Sequence, residues 1–422
     1  MTPGARLQAA IEILDGLEKT ARPADRFVRE WFRARRYAGA KDRAAVIERV
    51  YDVLRHRGSF ARRMGESGRA LVVASLLAEG KSQSEIELLF SGAAYVPQML
   101  SDGERSRLAA PPTEEPAGHI RGEYPAWLEA ELHRAFGDHL SDEMQAMLSR
   151  APVDLRVNTL RANRDDMLVG LSSLGIRAER MRYAPDGIRI ASAEGLSTLQ
   201  HTQFFETGAF EFQDEASQIA SLLSGAKPGH RVLDLAAGAG GKALAIAALM
   251  RNTGEILAFD IDAARLKEVR PRARRAGASI IVATDKRGGP LWGNGRFDIV
   301  FIDAPCSGSG TWRRNPETKW RLTPERLKEL TGRQDWLLDD GARHTGSQGH
   351  LVYATCSLLP VENEDRIAAF LARNPDFRVL PAVDVWRECV GREPPPGMGE
   401  YFRGSPLKCA TDGFFACIMT RG

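Results

Sequence analysis

The sequence predicts an α/β protein in three parts: an all-α N-terminal bundle, a small α+β unit, and a C-terminal doubly wound parallel sheet. Three observations predict this. From about Gln213, short apolar runs alternate with stretches of helical period, the pattern of βαβ units. Residues 5 to about 108 place apolar residues at helical spacing and carry no strand signals. Between them, residues 150 to 212 hold short alternating segments around turn residues. At 422 residues the chain is also too long for one ordinary core.

In the first part, Leu7, Ala10, Ile11, Leu14 and Leu17 share a helical face, as do Ala45, Val46, Val50, Val53 and Leu54, and Ala70–Leu77 is a third apolar segment. Arginines crowd this half: Arg22, Arg26, Arg29, Arg33, Arg35, Arg36, Arg43, Arg49, Arg55, Arg57, Arg62, Arg63 and Arg69. They read equally as solvated helix faces and as a phosphate-contacting surface. Residues 109–118 are a linker by composition, and 125–149 are helical. Next come a strand over Leu155–Asn158, a helix over Arg164–Leu174, and strands Arg180–Tyr183 and Gly187–Ile190 about the turn Pro185-Asp186-Gly187. No aromatic base-stacking platform stands out there. The expected domains are 1–118, 119–212 and 213–422.

The third part reads as strand Arg231–Leu235, a glycine turn, helix Lys242–Met250, strand Glu255–Asp260, a basic helix Ala263–Arg275 and strand Ser279–Asp285. Two further apolar strands, Phe297–Asp303 and Gly349–Thr355, flank a helix from Pro324 to about Leu338. Thr411-Asp412-Gly413 reads as a hairpin turn into an antiparallel closing strand, Phe414–Met419.

Composition narrows the class. Five cysteines, an odd number without a CxxC pair or paired histidines, predict a reduced cytoplasmic protein with no disulfide and no zinc site. The N-terminus lacks a signal-peptide apolar core, and apolar runs stop well short of a membrane span. A net charge of +3 does not by itself demand a nucleic-acid partner. A monomer is expected.

The glycine turn is Ala236-Ala237-Gly238-Ala239-Gly240-Gly241-Lys242, between a strand and a helix N-terminus. It is no P-loop, because Ala243 follows the lysine where Ser or Thr would hold magnesium. It matches G-x-G-x-x-A, with Asp260 about twenty residues on. Asp260, Asp285 and Asp303 close successive strands. The first is placed for ribose hydroxyls and the second for an adenine amino group, so an adenosine cofactor fits.

Cys306 and Cys356 differ from Cys389, Cys409 and Cys417, which read as small buried hydrophobes. Each of the first two ends a strand and precedes a serine. Two thiols at such a cleft suit covalent catalysis. A thiolate adding to C6 of a pyrimidine makes C5 an enamine carbon that can accept an electrophilic methyl group; elimination then expels the thiol.

Asp303-Ala304-Pro305-Cys306-Ser307-Gly308-Ser309-Gly310, Arg313–Trp320 and Tyr353-Ala354-Thr355-Cys356-Ser357 through Glu364 together resemble the Nop/Sun-type RNA 5-methylcytosine methyltransferases, over roughly residues 120–422. The resemblance implies a Rossmann-like S-adenosylmethionine domain behind an RRM-like unit. Asp42-Arg43-Ala44 and Val50–Arg55 resemble the NusB-like bundle that precedes it in bacterial 16S ribosomal RNA enzymes of this kind. It further implies S-adenosyl-L-methionine in the loop 236–242, with Asp260, Asp285 and Asp303 around it. Cys356 would be the nucleophile, Cys306 would assist product release, Asp303 would contact the cytosine ring, and Lys319 would lie near the substrate, its alternative being a structural surface lysine. Glu362 and Asn363 read instead as caps of the following helix. The family loop C-A-A-P-G-G-K-T has lost its proline and threonine here and gained a glycine, while Gly-Gly-Lys survives.

The expected activity is therefore cytosine-C5 methylation of RNA, with ribosomal RNA ahead of transfer RNA. A dehydrogenase would leave both cysteine motifs unexplained. A non-catalytic RNA-binding assembly factor would not retain both cysteines and the strand-end acids. DNA cytosine methylation needs only a Pro-Cys motif, so Cys356 discriminates against it.

Overall fold

The computed structural model describes all residues except 111, 192–195, 289–291 and 293–295. Contacts divide the chain into two compact units, Met1–Arg150 with Trp312–Leu322, and Ala151–Thr311 with Thr323–Gly422.

The first unit is helical. Its leading helices are α1 (Pro3–Glu18), α2 (Ala24–Arg33), α3 (Ala40–Arg55), α4 (Arg57–Met64), α5 (Gly68–Ala78), α6 (Gln83–Leu89) and α7 (Asp102–Ala109). Local chemistry sets several starts. Thr2 accepts the Ala5 N–H with Pro3 in the first turn, Ser67 accepts from Ala70, and Ser82 with Glu85 and Ser101 with Glu104 form capping boxes. The mostly apolar α5 lies at the centre, with Leu71, Val72, Val73 and Leu76 buried in one core with Ile13, Val46, Val50 and Phe60. The arginine readings separate here. Arg22, Arg26, Arg29, Arg35, Arg49, Arg57 and Arg69 pair with carboxylates of the same unit. Arg62 and Arg63 donate to backbone carbonyls. Arg35, Arg49, Arg57 and Arg69 thus reach carboxylates of other helices or their ends, Arg26 and Arg29 pair within α2, and Arg33 and Arg36 are exposed.

Trp312–Leu322 joins this unit through helix ends. Glu317 accepts the N–H of Ala24 at the start of α2 (2.9 Å). Lys319 Nζ and Trp320 Nε1 donate to the carbonyls of Arg55 and Leu54 at the end of α3, each at 3.0 Å. Arg321 donates to the carbonyl of Leu17 near the end of α1 (2.9 Å). An acid at a helix start and cations at helix ends match the partial charges of those termini. Lys319 is not a surface lysine: it is 3% exposed, and burial pushes its ammonium down to about 7. Replacing Glu317 with Ala should leave the Ala24 N–H buried and unpaired and cost about 1–2 kcal/mol. Faster amide exchange at Ala24 and a lower melting temperature would report it; unchanged exchange would refute this capping role.

In the second unit a four-stranded antiparallel sheet comprises β1 (Val153–Val157), β2 (Ala178–Arg180), β3 (Gly187–Ile190) and β4 (Phe210–Phe212), in the order β2-β3-β1-β4. The helix Arg164–Ser173 packs on it through Met167 and Leu171. The expected strand Arg180–Tyr183 ends at Arg180. Buried Glu215 takes the N–H groups of Tyr183 and Ala184 (2.8 and 3.1 Å) and draws the chain off the ladder.

The main sheet adds β5 (Arg231–Asp234), β6 (Glu255–Phe259), β7 (Ile281–Thr284), β8 (Phe297–Asp303), β9 (Thr345–Thr355), β10 (Phe377–Leu380), β11 (Phe402–Gly404) and β12 (Phe414–Arg421). Its order is β10-β12-β9-β8-β5-β6-β7, parallel from β9 to β7, with β12 antiparallel to β9 as predicted. Helices cover both faces over two apolar layers, one around Val232, Ile299 and Val352, the other around Leu233, Val300 and Tyr353. Four expectations need correction. The basic helix 263–275 is two helices, Ala263–Leu266 and Val269–Ala276, because Pro271 clashes with the carbonyl four residues earlier. The helix from Pro324 continues to His344, and Gly341 lies within it because a Cβ there would sit 2.8 Å from Leu351 Cδ1. Thr411–Gly413 is no hairpin turn. β11 is the antiparallel partner of β12, a short helix Pro406–Cys409 intervenes, and Gly413 N–H donates instead to the Gly310 carbonyl (2.8 Å). Cys389 is exposed at the end of the helix Ala382–Cys389, whereas Cys409 and Cys417 are buried.

Candidate active site

β8 and β9 run parallel in a register that pairs Asp303 with Ala354, and the Ala304 N–H donates to the Ala354 carbonyl (2.9 Å). The two cysteines therefore leave adjacent strand ends side by side. Cys306 Sγ and Cys356 Sγ lie 3.4 Å apart, both partly accessible. Fifty residues apart in sequence, the two thiols form one site at the carboxyl edge of the sheet. The Cys306 thiol is pushed well above the ordinary thiol range, first by its hydrogen bond with Cys356, then by burial and the nearby Glu362 charge. The site therefore favours the thiol form of Cys306.

The serines after the two cysteines meet a common acceptor. Glu362 Oε2 accepts from Ser307 Oγ and Ser357 Oγ, both at 2.5 Å, and Oε1 accepts from Ser307 N–H (2.8 Å) and Gln334 Nε2 (3.0 Å). Ser309 Oγ accepts the Leu358 N–H (2.8 Å). Asn363 Oδ1 accepts from Thr355 Oγ1 (2.6 Å), and its Nδ2 donates to the Ser357 carbonyl (3.0 Å). The helix-cap reading of these two residues is corrected. Asn363 holds the N-cap place of helix Glu364–Arg373 but makes no side-chain capping bond, and Glu362 faces the cysteine turns. The sequence carried one signal for this: a hydroxyl beside each thiol needs a buried partner.

The glycine loop joins β5 to the helix Gly241–Leu249. Gly238 has φ +54°, and a Cβ on it would lie 2.4 Å from Arg265 Nη2, so glycine is required there. Asp260, just past β6, holds the loop by accepting from Gly238 N–H and Asp262 N–H, both at 2.7 Å. The Ala239 carbonyl is tied to Arg272 (2.7 Å). Ala236, Ala237, Gly240 and Gly241 complete the turn. Lys242 is buried and its Nζ reaches Asp303 Oδ2 at 2.5 Å, so the loop lysine and the strand-end acid form one ion pair. Asp285 follows β7 directly and is exposed.

Asp234 was not among the expected site residues. It ends β5 and is fully buried, and neither carboxylate oxygen has a hydrogen-bond partner; the Ala236 amide faces it without bonding geometry. Burial, then the Asp303 charge, pushes it up to about 7, against the opposing pull of Lys242. An orphaned buried acid is costly unless a ligand completes it. S-adenosylmethionine, a sulfonium with an ammonium group, suits this acid-rimmed loop, so the residues fit the cofactor.

The comparisons agree. Residues 221–420 match the family model described as 16S rRNA methyltransferase RsmB/F, and residues 124–196 match its RsmF/B-like ferredoxin-like domain. The probable ribosomal RNA small subunit methyltransferase B of Bacillus subtilis is 31% identical over 73% of this chain and 69% of its own length. The ribosomal RNA small subunit methyltransferase B of Klebsiella pneumoniae is 36% identical over 60% of this chain and 58% of its own length. The crystal structure of PH0851 superposes with a TM-score of 0.75 at 26% identity, covering 100% of this chain and 99% of that one. Among the described residues no helix is long and apolar enough to cross a membrane. From the fold, the paired thiols and these matches, the chain belongs to the RsmB/F family of 16S rRNA methyltransferases, S-adenosylmethionine-dependent enzymes that methylate RNA.

Proposed function

We propose that this protein methylates C5 of cytosine in 16S ribosomal RNA through a covalent bond between Cys356 and C6 of the base. The observation that carries this is the pair of thiols 3.4 Å apart on adjacent parallel strand ends. Cys356 adds to C6, the C5–C6 π pair moves to C5, and C5 becomes nucleophilic. S-adenosylmethionine supplies the electrophilic methyl group. The double bond is then restored as the Cys356 thiolate leaves and takes the Cys306 proton across the 3.4 Å contact, and the Cys306 thiolate so formed accepts the C5 proton. Asp303 faces the base while paired with Lys242. The loop 236–242 and Asp234, Asp260 and Asp285 hold the cofactor. In this reading residues 213–422 bind cofactor and catalyse, 119–212 form the ferredoxin-like unit, and the bundle 1–118 serves RNA.

Asp234 makes cofactor affinity depend on pH. In the empty protein its carboxyl is protonated below about 7, and a cationic ligand requires the carboxylate. Affinity should rise about tenfold per pH unit on the acid side of that value and level off above it. Binding below it should release a proton, measurable by calorimetry in two buffers. The unliganded fold has the opposite sign: the neutral acid's contribution to stability is full below 3.8 and lost as pH rises through about 7. A flat affinity profile that persists in Asp234→Asn would remove Asp234 from the cofactor site.

Bisulfite sequencing of small-subunit ribosomal RNA from cells with and without the gene tests the activity. A cytosine that loses protection only without the gene supports the proposal. Loss confined to transfer RNA would refute the ribosomal substrate.

A further inference from the structure

We propose that Glu362 is a positioning residue that ties the Cys306 turn to the Cys356 turn and thereby sets the distance between the two sulfurs. This rests on the covalent reading above and goes beyond it by naming what holds the thiols together. Glu362 is fully buried, on the short turn Pro360–Glu362. A carboxylate offers about four acceptor positions. Here four donors fill them: Ser307 N–H and Oγ beside Cys306, Ser357 Oγ beside Cys356, and Gln334 Nε2 from the helix Pro324–His344. Gln334 also donates to the Pro305 carbonyl (2.9 Å), so the turn is held on both sides of Cys306. Asn363 does the same for Cys356 through Thr355 and the Ser357 carbonyl.

Local fold alone does not require this arrangement. Thr355–Asn363 and the Tyr353 hydroxyl, which donates to the Glu362 carbonyl (2.6 Å), already anchor the segment to β9. The Glu362 carboxylate adds the link across strands. Its charge also favours the thiol form of Cys306, leaving Cys356 as the sulfur that attacks.

The test compares the wild-type protein with Glu362→Ala and Glu362→Gln in two measurements. The first is disulfide formation between Cys306 and Cys356 under diamide, which removes one hydrogen from each thiol and leaves the S–S bond; alkylation and mass spectrometry count the remaining thiols. The second is methylation of 16S rRNA, separated into kcat and KM. Glu362→Ala should slow disulfide formation roughly tenfold and lower kcat about 100-fold with KM nearly unchanged, because small misplacements of reacting groups are costly. Glu362→Gln keeps the volume and one acceptor oxygen, so it should fall between. Ser307→Ala and Ser357→Ala remove single donors and should each lower kcat about tenfold; they decide the matter if Glu362→Ala does not fold. A folded Glu362→Ala protein that forms the disulfide and turns over at wild-type rates overturns the proposal. Failure of the wild type to methylate cytosine would instead refute the function, while the disulfide rates would still decide the positioning role.

Discussion

Cys356→Ala is expected to abolish methylation, with a loss on the order of 10⁴-fold or more, as when other covalent nucleophiles are removed. In the proposed reaction Cys356 forms the S–C6 bond that makes C5 nucleophilic, and removing its sulfur removes that bond. Cys306 cannot take over. It is 3.4 Å away, but its hydrogen bond with Cys356 and its burial push its thiol well above the ordinary thiol range. The substitution should leave cofactor affinity unchanged, because Asp234 and the loop 236–242 do not involve Cys356. Nucleoside mass spectrometry on treated RNA gives the readout. Persistent 5-methylcytosine in this variant would refute the covalent assignment.

Cys306→Ala should behave differently. Attack and methyl group transfer proceed, but elimination stalls, so a protein–RNA adduct accumulates that survives a denaturing gel. Multiple-turnover rates should fall by roughly 10²–10³-fold, the scale of a lost proton-transfer group, while a single round of methylation remains. The wild type should show little adduct. If Cys306→Ala turned over normally without adduct, Cys306 would be only a packing neighbour.

Much of this site was legible in the sequence because its parts obey local rules. The apolar runs ending in Asp303 and Thr355 could only be buried strands, and a parallel sheet brings such ends together. The glycine turn was readable from its place between strand and helix. The arginine run was ambiguous, because carboxylate partners such as Glu79 for Arg49 come from other helices. β10 and β11 are four and three residues long, too short to show a period. The partner of Lys319 is a carbonyl 264 residues earlier, which no spacing rule reaches. Asp234 was missed, and Glu362 was read as a helix cap, for a related reason. What distinguishes them is burial, in one case without partners and in the other with four, and burial is a property of the assembled fold. The break between Leu266 and Val269, by contrast, was readable from Pro271, which cannot accommodate the carbonyl four residues earlier.

Cys356 is expected to bond to the base. Cys306→Ala protein incubated with unmethylated 16S rRNA and S-adenosylmethionine, then digested and analysed by tandem mass spectrometry, tests it most directly. The predicted result is a methylated cytidine fragment attached to the peptide carrying Cys356. A fragment attached to any other residue, or methylated RNA formed with no covalent intermediate on Cys356, would contradict it.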